Sequence, residues 1–170
     1  MTPNFLVIIG SALVPFLFAL IWFHKSLFGG HNWHAIAEIP EAKTSPVKPI
    51  KLGLSLVLNI IIALGVFQFS IHELGVYGMV GGDELLATTG SAGALLAERG
   101  GDFHTWTHGL AHGFGAAFFF VLPVLGYVCI FEKKSFKYFL VYFGYWAICL
   151  ILMSIIICLW GADITVNPGI

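Results

Sequence analysis

The stretch FKYFLVYFGYWAICLILMSIIICLW, residues 136–160, decides the architecture: 25 residues with Lys137 as their one charge. A helix of about 20 residues crosses the hydrocarbon of a bilayer, so this run is long and apolar enough to do so. It lacks the polar–apolar alternation of a barrel strand. Three further runs meet the same criterion, at about 5–23, 52–72 and 103–130. Pro3 suits the first turn of the first span, and Pro15 is expected to kink it. The reading is an all-α integral membrane four-helix bundle, one domain over residues 1–170, with long loops at 24–51 and 73–102 on opposite sides of the membrane.

Composition supports that reading. The chain is 58% hydrophobic and 10% charged, with a mean hydropathy of +0.91. A domain that faces water carries roughly 25% charged residues. Lipid must therefore cover much of this surface, and the bilayer is the first partner implied. A net charge of −1 without a basic patch argues against nucleic acid. Cys129, Cys149 and Cys158 all fall inside apolar segments, so no disulfide framework is expected. Met1 to Asn4 carries no basic side chain, and the following apolar run exceeds that of a secretory leader, so it reads as a retained span.

Basic residues are placed unevenly. Lys25, Lys43, Lys48 and Lys51 lie in or beside the first loop, and Lys133, Lys134 and Lys137 at the short turn 131–135. The loop 73–102 holds only Arg99, against Glu73, Asp83, Glu84, Glu98 and Asp102. Seven of the eight basic residues thus share one side, which the positive-inside rule makes cytoplasmic. Both termini and the acidic loop are then outside. In the first loop, a short interfacial helix is expected around Asn32 to Ile39. In the second, the run Leu85 to Ala97 reads as a surface helix broken near Gly90 and Gly93. A loop this long in a small protein is usually functional or disordered.

Seven histidines are many for so apolar a chain. His104, His108 and His112 recur every four residues at the start of the third span, and each step drifts only about 40° around a helix. They are expected to share one face and descend about 12 Å. Gly65, Gln68 and His72 form a stripe at the matching end of the second span, with Glu73 next; Cys158 and Asp163 lie at a similar level on the fourth. Polar side chains inside a membrane normally face the bundle interior. Imidazoles at i and i+4 can chelate one ion. The candidate metal ligands are therefore His108, His112, His104, His72 and Glu73, with zinc, iron or copper as the ion. No Glu stands between the histidines and there is no Cys-x-x-Cys pair, so no catalytic zinc motif is matched. The same rings also suit interhelical hydrogen bonds. His108 and His112 are expected to point inward and meet Gln68 or His72. A second group, His24, His31, His34 and Glu38, reads as ordinary interfacial residues.

Small residues mark helix contacts. Gly109 and Gly113 form one pair at i and i+4, and Ala111 and Gly115 another, which makes the third span the expected centre of the bundle. Tyr138, Tyr142, Tyr145 and Cys149 form a stripe that reads as a packing seam. Trp22, Trp106 and Trp160 suit the interfacial belts.

Three motifs carry a family resemblance. They are Trp22-Phe23-His24-Lys25-Ser26-Leu27-Phe28-Gly29 with Trp33; His108-Gly109-Leu110-Ala111-His112-Gly113; and Phe131-Glu132-Lys133-Lys134-Ser135-Phe136-Lys137-Tyr138 leading into Gly144-Tyr145-Trp146. Together they resemble a bacterial family designated domain of unknown function 1761, in its longer form with an extended loop before the His-Gly steps. Phe23 stands where members commonly carry Tyr, and Lys25 near a usual proline. The resemblance implies four spans and a place in the bacterial cytoplasmic (inner) membrane. It implies no activity.

Size and the lack of a soluble domain favour a non-catalytic role, an accessory or interaction subunit with other membrane proteins or in a homo-oligomer. The alternative is a transition-metal-binding membrane protein, for metal handling or metal-dependent chemistry. Redox work with haem or quinone is a third reading, and haem would need facing imidazoles such as His72 and His108.

Overall fold

The computed structural model describes residues 1–24, 33–36 and 48–163. Four helical spans dominate it, and all four are long and apolar enough to cross a membrane. The first is built from α1 (Phe5–Ser11) and α2 (Leu13–Trp22). After the short α3 (Trp33–Ile36) comes the second span, α4 (Pro49–Ser70). Three short helices follow, α5 (Glu73–Met79), α6 (Glu84–Thr88) and α7 (Gly90–Arg99). The third span is α8 (Trp106–Ala116), a π-helical turn at Ala117–Val121 and α9 (Leu122–Phe131); α10 (Phe136–Trp160) is the fourth.

Local chemistry explains the irregularities. Pro15 has no N–H for the Ser11 carbonyl, and the first span breaks at Ala12. Pro123 creates the same conflict with Phe119, and the wider turn just before it absorbs the ring. Pro49 opens α4 at its first turn, three residues before the apolar run begins. Thr105 caps α8 by accepting the His108 N–H at 3.2 Å, so that helix starts at Trp106 rather than 103. The break in the second loop falls at Thr89 and Gly90, whose φ is +58°, a region open to glycine. Gly93 instead lies inside α7, where a Cβ would meet the Thr88 carbonyl.

Pro3 departs from its expected place in the first helical turn. Thr2–Pro3 (β1) pairs antiparallel with Ala162–Asp163 (β2), and Asn4 caps α1. The Asn4 N–H also donates to the Gly161 carbonyl at 2.8 Å. The start of the first span is thereby tied to the end of the fourth. The Met1 amine donates to the Tyr77 hydroxyl at 2.8 Å, so the acidic loop lies at this same end. Burial, then the Glu84 carboxylate, raises the Tyr77 pKa and keeps the phenol protonated.

The centre of the bundle is the fourth span, not the third. Helix α10 packs against all three other spans and buries Tyr145, Cys149, Met153, Ser154, Ile157 and Cys158. A Cβ on Gly109 would lie 2.6 Å from Ile155 Cα, and one on Gly113 2.7 Å from Ile151 N. These two glycines let α8 approach α10 backbone to backbone. The second pair is elsewhere: Ala111 is exposed, and open space surrounds the Cβ position of Gly115. Small residues on one face bring a helix close without making it central. The other side of the third span carries Phe114, Phe118 and Phe119, all exposed.

That exposure is general. Leu6 is 88% exposed, Ile130 73% and Phe119 70%, all within spans. Contiguous apolar surface on this scale is foreign to a monomer in water and ordinary in lipid. The tyrosine stripe packs against the first span: Tyr145 donates to the Pro15 carbonyl at 2.6 Å, and its ring lies 5.0 Å from that of Phe23. Trp106 and Trp160 are exposed at the loop end, while Trp22 donates to the Val141 carbonyl at 3.1 Å. His31, Glu38, Lys25, Lys43 and the side chain of His34 lie outside the described residues.

Candidate metal centre

The candidate residues meet where α4 ends, α5 begins and α8 starts. Helix α4 stops at Ser70, and Ile71 turns to an extended backbone. His72 therefore stands just beyond the span, at the cap of α5, rather than within its last turn. From there it reaches α8. Its Nε2 lies 3.2 Å from His112 Nε2, and its ring centroid 4.8 Å from that of His108. The His108 and His112 centroids are 4.4 Å apart, one turn along α8. One nitrogen from each of His72, His108 and His112 falls within 4.8 Å of the others.

Helix geometry places two of the three rings, and the α4–α5 turn supplies the third. His104 does not continue the α8 face, because it precedes the Thr105 cap. It turns to Glu73 instead, with Nε2 3.2 Å from Oε1. Glu73 is only 3% exposed. The two atoms are close enough for a hydrogen bond but out of line for one. Among the described residues, both Glu73 oxygens, His104 Nε2 and His108 Nε2 are buried without a hydrogen-bond partner. Buried polar atoms are nearly always satisfied, so four together need a physical reason.

The family model described as "Protein of unknown function (DUF1761)" matches residues 6–158. The chain belongs to that family. No curated protein and no solved structure matches it. In this DUF1761 protein the matched region spans all the histidines of the cluster and both glycines of the α8–α10 contact.

Other members of the expected group stand apart. Gln68 is exposed and outside the cluster. Cys158 is buried on α10, its thiol donating to the Ser70 carbonyl at 3.8 Å. The Asp163 side chain lies outside the described residues. Sequence reading missed Phe103, whose ring lies 4.9 Å from that of His72 and 5.0 Å from that of His108. It also missed the partner of His104. Thr105 was the available signal: a threonine just before a helical run is a cap, which ends the histidine face at His108.

The donor set suits a borderline transition metal. Three imidazoles with a carboxyl group nearby favour zinc, iron or copper over calcium or magnesium, which prefer oxygen. About 2.0–2.1 Å from metal to nitrogen places tetrahedral ligands about 3.3 Å apart, close to the spacing of His72 and His112. Side-chain rotation can bring in His108.

Proposed function

We propose that this membrane protein binds one transition-metal ion, zinc, iron or copper, through His72, His108 and His112, with Glu73 and His104 beside the ion. The carrying observation is the convergence of three imidazole donors, from two chain segments, within 4.8 Å. The orphaned atoms support it. A buried carboxylate is costly without a nearby positive charge, and a cation one residue away would supply it.

Accessory subunit and metal-handling protein are both compatible with four spans; the ring cluster favours the second. The same geometry weighs against haem. A porphyrin needs a slot between its axial rings, whereas the His72 and His108 rings are in contact. Elemental analysis of detergent-purified protein, alongside His108→Ala and His112→Ala, tests the reading. One equivalent of metal in the parent and its loss from both variants are expected. Metal at the level of the protein-free blank, after exposure to zinc, iron and copper, would leave the histidines as hydrogen-bonding groups only.

For orientation, the lysine asymmetry supports the bacterial cytoplasmic membrane with the histidine end and both termini outside. The three native cysteines are buried, so introduced thiols can report. With an impermeant reagent on intact cells, Thr89→Cys is expected to label and Ala42→Cys to stay unlabelled. The reverse pattern overturns the orientation.

A further inference from the structure

The histidine cluster also has an approach from the membrane side. A groove of about 590 Å³ runs along the bundle between α4, the third span and α10. Its walls are apolar, with Ile62 and Phe69 from one side, Phe120 and Val124 from another, and Trp146 from α10. Polar groups gather where α4 ends, at Ser70 and His112. Ser70 is already paired with Ser154, Oγ to Oγ at 2.9 Å. The ring that faces both groove and cluster is that of His112, 3.2 Å from His72.

Two backbone features shape this space. Gly65 lines it, and nothing lies within 4 Å of its Cβ position, so a side chain there would project into the groove. The π-helical turn at Ala117–Val121 carries Phe120 and Val121 along its wall. Such turns recur at functional sites. The volume falls in the range of small-molecule sites, about 300–1,000 Å³.

We propose that the groove receives the hydrocarbon chain of a membrane-soluble amphiphile and presents its oxygen-bearing head to His112. An apolar length with one polar end is complementary to that molecule, not to a second copy of the chain. Delivery of the head to a metal ion rests on the metal reading above; occupancy of the groove does not.

The test reconstitutes the protein in phosphatidylcholine vesicles with a photoactivatable palmitic acid bearing a diazirine on its chain. Adducts after illumination are mapped by mass spectrometry, and metal is measured on the same samples. Adducts are expected on Phe120, Val124 and Trp146 in preference to the lipid-facing Phe119 and Ile130. Gly65→Phe and Val124→Trp, which fill the groove, should each abolish the preference for groove residues over lipid-facing ones. Metal content should not change. Adducts spread evenly over lipid-facing residues, or adducts indifferent to both substitutions, would each overturn the proposal. Groove labelling without metal sinks the metal reading alone; metal without groove labelling sinks this one alone.

Discussion

The two ends of the bundle differ in how completely they satisfy their buried polar side chains. At the lysine end, Tyr145 donates to Pro15 and Trp22 to Val141, each across two helices and each at hydrogen-bond length. At the histidine end, Glu73, His104 and His108 bury polar atoms that have no such partner among the described residues. Both ends are rich in aromatic rings in contact. The difference is therefore not packing but satisfaction. A polar group that completes its bonds within the fold serves the fold, whereas a buried one left incomplete is poised for something else. Under the proposal above, that something is a cation.

The largest expected effect tests the contact that joins both ends. Gly113→Leu places a side chain against the backbone of Leu150 and Ile151, atoms that cannot move aside. Destabilisation of about 3 kcal/mol or more is expected, read as loss of a single thermal transition in detergent. Gly115→Leu, entering open space, should leave that transition in place. Equal behaviour of the two would break the assignment of the α8–α10 contact.

Next comes His108→Ala. Loss of one ligand should weaken metal binding by at least about a hundredfold, beyond what loss of an outer-shell partner costs. The metal-free variant should unfold no more readily than the metal-free parent, since His108 Nε2 has no hydrogen bond to lose. A variant destabilised without metal would place His108 with the satisfied groups of the lysine end. Glu73→Gln sharpens the same contrast: about a tenfold fall in metal affinity with the fold kept, by titration and circular dichroism. An unchanged affinity would remove the carboxylate from the centre.

Tyr145→Phe is the smallest effect and the converse case. It leaves the Pro15 carbonyl without its partner and should cost about 1 kcal/mol of stability. Metal content should be unchanged. A loss of metal would mean that the two ends are coupled.

Hydropathy and helical period determined much of this protein on their own. Four spans are legible because each apolar run must satisfy its backbone internally within lipid, a requirement that acts residue by residue. The pairing of His108 with His112, and of Gly109 with Gly113, follows from 3.6 residues per turn. The bend at Pro15 was legible too, while the cap at Thr105 and the bend at Pro123 obey equally local rules. Only the tertiary structure decided which helix is central, that His72 turns back to the α8 rings, and that His104 leaves them for Glu73. Those outcomes depend on the rotation and depth of one helix against another. Both are set by side-chain volume at long-range contacts, such as α8 lying backbone to backbone on α10, and a sequence period specifies neither.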